Sequence, residues 1–182
     1  MDNVLALDLG SKTGYAIYKN GEILSGTREL RHDKSASGVR FLNFCNWLIE
    51  TISAHNIYNV FFERVYAHKG VEAAHVYGAF MYILAMVCEG LKVGCVGLNV
   101  GTIKKFATGK GNATKEEMIA AARSCGFNPV DDNEADALAI LFVGLRGLKF
   151  QKNKRYCLAK GESGDQSPGF SLASEIFLKE VR

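Results

Sequence analysis

Residues 3–9 carry apolar side chains at odd and even positions alike, Val4, Leu5, Ala6, Leu7 and Leu9, broken by one acid, Asp8. A strand apolar on both faces is usually buried on both faces, so this segment is expected in the middle of a sheet. Residues 13–19 read as a second strand, Asn20 and Gly21 as the two-residue turn of a tight hairpin, and 22–27 as the returning third strand. Phe41, Cys45, Leu48 and Ile52 then recur at helical spacing. Residues 58–65 form a fourth expected strand, apolar on both faces until Glu63, and 92–98 a fifth, separated by a long apolar helix over 71–89. Three helical segments follow, at 100–107, 114–125 and 132–147; Thr114 and Glu117 have the spacing of a capping box at the start of the second.

A hairpin followed by strand–helix alternation predicts an α/β fold, a mixed five-stranded sheet flanked by helices. The meander places strand 1 beside strand 2, and right-handed crossovers add strands 4 and 5 on the other side of strand 1. The expected order is 3-2-1-4-5, which sets Asp8 and Glu63 at the same ends of adjacent parallel strands. Residues 1–150 are expected to form this domain. Residues 151–182 read as a basic and polar tail, in which FSLASEIFLKEVR has the pattern of a short amphipathic helix.

Composition narrows the class only a little. A chain of 182 residues, 48% hydrophobic and 23% charged, has the make-up of a globular domain with a real core. A net charge of +3 is too small to identify a nucleic-acid ligand, so the placement of the charges has to decide. Five cysteines, odd in number and without CxxC spacing, argue against zinc or a disulfide framework and for a reducing cytoplasm. No signal peptide is expected, because an acidic N-terminus runs straight into a strand. No membrane association is expected either, because Ala73 to Cys88 is short for a span and contains His75.

The chemistry lies in the acids. An ionised carboxylate in a buried strand is costly unless it is paired or binds a metal. Asp8 and Glu63 each end such a strand. A third group sits in NPVDDNEADALAILFVG, where Asp131 suits a helix N-cap with Glu134 bonding back. Asp132 and Asp136, four residues apart, share one helix face. The apolar run after Asp136 must pack on something; if that is the sheet, Asp136 is carried towards Asp8 and Glu63. Such a cluster repels itself unless cations neutralise it, and oxygen ligands suit Mg²⁺ or Mn²⁺. Two ions about 4 Å apart can activate water and stabilise a leaving oxygen in phosphodiester cleavage. For Asp131 and Asp132 a plain capping role stands beside the ligand role.

The segments LALDLGSKTGYAI, FFERVYAHKGVEAAHVYGAF, TIKKFATGKGNATKEEM and EADALAI together resemble the motifs of the RuvC family of Holliday junction resolvases. They occur in the family's order over residues 4–145. The resemblance implies a ribonuclease H-like fold, a homodimer, Mg²⁺-dependent cleavage, and paired nicking of four-way DNA junctions. By motif position Asp8, Glu63 and Asp136 match three of the family's four catalytic acids. The fourth position, three residues before the last acid, holds Asn133 here, a departure that fits a phage-type member. Asp132, with its full negative charge, is expected to serve instead.

The DNA-facing residues follow the same motifs. Lys104, Lys105, Lys110 and Lys115 surround two glycines in IKKFATGKGNATK, where backbone and lysines can approach phosphates closely. The resemblance singles out Lys104 and Lys115, which match family lysines close to the active site. Arg64 and Tyr66 follow Glu63, and Tyr66 matches an aromatic position used at the junction centre, suited to stacking on an unpaired base. The basic stretch KFQKNKRYCLAK could extend the phosphate-binding surface. The helix over 71–89 is apolar most of the way round, as expected of an element that meets both the sheet and a second copy. A charge at Phe80 or Leu84 is expected to break that dimer.

The histidines form no ligand set: His32, His55 and His75 read as structural or exposed, and only His68 falls near the acids. Two rival readings remain. A DxG loop ahead of a hairpin, here in DLGSKTG, also occurs in actin-like ATPases and sugar kinases, but those need two such domains around the nucleotide, and no nucleotide cofactor is expected. The other rival is a non-catalytic module that binds branched DNA through the same fold.

Overall fold

The computed structural model describes residues 3–30, 38–66 and 70–160, with side chains as far as residue 149. Its elements are β1 (Val4–Asp8), β2 (Lys12–Lys19), β3 (Glu22–Glu29), α1 (Val39–His55), β4 (Asn59–Arg64), α2 (Val71–Leu91), β5 (Gly94–Asn99), α3 (Val100–Thr108), α4 (Lys115–Ser124) and α5 (Asp132–Lys160). The hairpin forms because Asn20 and Gly21 both take positive φ, 54° and 91°, as a two-residue turn matched to strand twist requires. The strands join in one sheet, ordered β3-β2-β1-β4-β5, with β1 antiparallel to β2 and parallel to β4. This is the order expected from the sequence.

Strand alternation divides the core into two halves. Leu5, Leu7, Ile17, Val60 and Phe62 face α1 and α2, where Phe44, Leu48, Phe80 and Leu84 fill the space. Val4, Ala6, Ala16 and Phe61 face the other way, under Ile103 of α3, Met118 of α4 and the Ala135–Leu141 stretch of α5. The even positions of β1 therefore look towards α5, and Asp8 is one of them. Close approach is built in: a Cβ on Gly144 would stand 2.4 Å from the Phe61 ring.

Two expectations change. First, α5 continues to Lys160 instead of stopping near 147, so it crosses residue 150. The turn to polar composition there does not end a helix; no glycine or proline occurs from Leu148 to Lys160, and Gly161 comes next. The stretch FSLASEIFLKEVR lies outside the described residues, as do His32 and His68. Second, Phe80 and Leu84 are fully buried, and Phe80 packs edge-on against Phe41 and Phe44 with ring centroids 5.0 Å apart. They belong to the core and face no second copy. The exposed face of α2 carries Val71, Tyr82, Met86 and Leu91 instead. By length and composition α2 could cross a membrane; here its Tyr77–Phe80–Leu84–Val87 stripe is packed into the core.

Candidate active site

Asp8 ends β1 on the α5 side, directly opposite Gly14 of β2. On its other side Leu7 pairs with Phe62, so the next residues along, Asp8 and Glu63, stand side by side and their carboxyls share a hydrogen bond. Asp136 comes in from the second turn of α5. Burial pushes the Asp8 carboxyl well above the ordinary range, and Glu63, Asp136 and Asp132 add to the shift. Burial also raises Glu63, against the Asp8 hydrogen bond and the charge of Lys104, which lower it. Asp136 is pushed up to about 6 by burial first and Glu63 second, with Lys104 opposing. Three acids from three elements are thus close enough to repel one another in a half-buried setting.

Two lysines face them. Lys104, on α3, donates to the Ala113 carbonyl at 2.8 Å, which holds its charge within reach of Glu63 and Asp136. Lys115, the first residue of α4, forms an ion pair with Asp132. Asp132 acts on both Asp8 and Asp136, so it belongs to the cluster. Asn133 bonds Asp131 instead. Asp131 is the cap of α5: its Oδ1 accepts from Glu134 N at 3.0 Å and from Thr27 Oγ1 at 2.7 Å, and Lys12 Nζ lies 3.1 Å from its Oδ2. Burial would raise the Asp131 carboxyl, but these bonds outweigh it and hold it below the ordinary range. Glu134 reaches back one residue further than the sequence suggests, to Val130 N at 2.8 Å.

The remaining DNA-facing candidates lie around this centre. Lys110 is tied to Glu117 at 2.7 Å, an exposed pair of small energetic weight that phosphate could displace. Lys105 is exposed. The Arg64 guanidinium lies 5.4 Å from the centre of the Tyr66 ring, and Tyr66 is 73% exposed. Tyr77 was hidden from sequence reasoning inside an apolar stripe, yet its hydroxyl donates to the Glu63 carbonyl at 2.8 Å and accepts from Val65 N at 3.1 Å. It pins the end of β4 that carries Glu63. Ser25 and Thr27 were equally hidden, because alternation alone does not say which polar residue of an edge strand meets a helix.

The donor set suits a hard divalent cation: carboxylate oxygens with no thiol or imidazole, repelling one another as they stand. In the arrangement described, Asp8 bonds Glu63 and Asp132 pairs with Lys115. No group of three or more His, Cys, Asp or Glu side chains among the described residues is disposed to hold an ion. The chemistry of the set fits a metal, although the described side chains are not arranged as a coordination site.

No protein-family model matches the chain. It is 28% identical to the crossover junction endodeoxyribonuclease RuvC of Wolbachia sp. subsp. Drosophila simulans (strain wRi) over 151 residues, covering 77% of this chain and 91% of the relative. The RuvC of Wolbachia sp. subsp. Brugia malayi (strain TRS) is 26% identical over 148 residues, with the same coverage. Among solved structures, T. thermophilus RuvC in complex with Holliday junction substrate superposes with a TM-score of 0.66 at 19% identity, over 77% of this chain and 90% of that one. The yeast mitochondrial Holliday junction resolvase Ydc2 superposes with a TM-score of 0.55 at 13% identity, over 76% of this chain and 75% of that one. The structural likenesses establish the fold.

Proposed function

We propose that this chain, a RuvC-family protein of ribonuclease H-like fold, is a metal-dependent endodeoxyribonuclease that resolves four-way DNA junctions. The observation that carries the reading is the meeting of Asp8, Glu63 and Asp136, from β1, β4 and α5, with Lys104 and Lys115 at their rim. Carboxylates this close raise each other's pKa values, a cost that a purely structural cluster has no reason to keep.

In this reading Asp8, Glu63 and Asp136 would hold two Mg²⁺ ions, with Mn²⁺ able to substitute, and Asp132 would be the fourth ligand. When bound, the ions supply an activated water and charge for the leaving oxygen. The protein's own part is to hold the strand. Lys104 and Lys115 present ammonium groups where a phosphate flanking the cut would lie, and Lys105 and Lys110 extend the basic rim along α3 and its following loop. Lys115 bonds Asp132 in the structure and would be released to meet phosphate if Asp132 took up a metal. Tyr66 stacks on a base at the junction centre, with Arg64 beside it. Two sites are needed for paired nicks, and the exposed Tyr82 and Met86 on α2 are the surface on which we place the homodimer. We place the enzyme in the cytoplasm, where its free thiols Cys45, Cys88, Cys95 and Cys125 stay reduced.

The test is cleavage of labelled four-way, three-way and linear duplex DNA in parallel, with Mg²⁺. Preferential paired nicking of the four-way substrate is expected. Equal cutting of all three would reduce the protein to a general nuclease, and binding without cutting would favour the non-catalytic module.

A further inference from the structure

The residues of the sheet that share a row with Asp8 have a second task. Thr27 of β3 pairs with Gly14 of β2, and Gly14 pairs with Asp8 of β1. The next row on the same face is Ser25, Ala16 and Ala6. The first turn of α5 lies across these two rows. At the centre of the first row there is no room for a side chain, since a Cβ on Gly14 would stand 1.9 Å from the Asn133 carbonyl oxygen. At the outer end of each row a hydroxyl clips the helix. Thr27 Oγ1 donates to Asp131 Oδ1 at 2.7 Å, and Ser25 Oγ donates to Glu134 Oε1 at 2.6 Å.

We propose that Thr27 and Ser25, acting through Asp131 and Glu134, are positioning residues that set where Asp132 and Asp136 stand relative to Asp8. The proposal rests on reading the acids as a metal site. The reason lies in what the rest of α5 touches. Beneath its first turns are Ala6 and Ala16, met by Ala135, Ala137 and Leu138. Further along, the fully buried Leu138, Ile140 and Leu141 lock the helix, so what the small residues leave unfixed is how its first turns sit about the helix axis. Asp132 and Asp136 project from that axis. A rotation of about 20° moves a carboxylate about 2 Å, given the radius of a helix with its side chains. Metal ligation tolerates only about 0.2 Å. The two clips, at Asp131 before α5 and Glu134 within it and two residues apart on β3, resist such a rotation of the first turns. Groups that orient metal ligands without touching the metal typically change affinity about 10–100-fold when lost.

The experiment is Mn²⁺ binding to the full chain by titration calorimetry, without DNA, for wild type, Thr27→Val, Ser25→Ala, the double variant and Thr27→Ser. Each is also melted without metal and assayed for the Mn²⁺ concentration that gives half-maximal cleavage. The double variant is expected to bind Mn²⁺ about 10-fold or more weakly. Its half-maximal concentration should shift in parallel while junction affinity holds, and Thr27→Ser should recover wild-type binding. A lower melting temperature with unchanged Mn²⁺ affinity would show an ordinary structural contact and overturn the proposal. So would failure of Thr27→Ser to rescue, or a wild type that binds no Mn²⁺. If wild type binds Mn²⁺ but cuts no branched DNA, the nuclease reading fails, and the affinity ratio still decides the role of the clips.

Discussion

The two faces of the sheet are packed to different ends. Between the sheet and α1 and α2 the core is made of large side chains, Phe44, Phe80, Leu48 and Leu84, which interlock and bury much area. Between the sheet and α5 larger residues such as Phe61, Leu138, Ile140 and Leu141 are interspersed with Ala6, Ala16, Ala135, Ala137 and Ala139, and the helix lies close. The first arrangement is a source of stability that many sequences could supply. The second gives up apolar bulk so that carboxylates from α5 and β1 can meet, and it needs polar bonds at the helix start to hold register. Stability and chemistry are divided between the faces.

The sharpest way to break that contrast is at Asp8. Asp8→Asn is expected to reduce junction cleavage by about a thousandfold or more, from the loss of several kcal/mol of metal-mediated stabilisation. Junction binding by gel shift should persist, because affinity comes mostly from phosphate contacts. Binding and cleavage lost together in a folded protein would contradict the division. On the opposite face Phe80→Ala should cost about 3–5 kcal/mol in denaturant unfolding. Tyr82→Glu, on the outer side of the same helix, should leave stability nearly unchanged and shift sedimentation towards monomer.

The acids should also show themselves without metal. Asp136 titrates at about 6 in the folded chain instead of the ordinary 3.8. The folded state therefore holds a proton that the unfolded state has released, and the slope of stability with pH is negative between the two values. Its contribution is fully present below about pH 4 and lost as pH rises through about 6. Metal-free wild type should lose about 2–3 kcal/mol relative to Asp136→Asn between pH 4 and 7. Equal pH profiles of urea unfolding for the two proteins would show that burial and the neighbouring acids do not raise Asp136. A smaller effect is expected at Ala16→Leu, about 1–3 kcal/mol from overpacking, together with a loss of cleavage as α5 is lifted. Leu48→Met on the other face should cost under about 1.5 kcal/mol and spare cleavage.

The finest comparison is between neighbours on α5. Asp132→Asn should slow cleavage about tenfold at limiting metal, and Asn133→Ala no more than about threefold. Asp132 pairs with Lys115 and its charge acts on Asp8 and Asp136, whereas the Asn133 side chain bonds Asp131. The reverse ranking in metal-titrated rates would reassign the fourth ligand.

Much of this was legible from the chain. Periodicity, the Asn20-Gly21 turn and the crossover rule determined the strand order, because hydrophobic alternation and turn chemistry are local properties that β-pairing then obeys. The same pattern marked Asp8 and Glu63, since a charge at the end of a doubly apolar strand is an anomaly visible without coordinates. The length of α5 exceeds the expectation because neither polar composition nor a single glycine ends a helix: α5 runs through Gly144 and Gly147 and on to Lys160. Which side of α2 is buried could not be read from a helix apolar nearly all round; the sheet and α1 chose Phe80 and Leu84 and left Tyr82 and Met86 outside. The partners of Asp131, Asp132 and Glu134 were likewise decided only in three dimensions. Thr27, Lys115 and Ser25 are distant from them in sequence, and hydrogen bonds between remote elements form only after packing has set both backbones.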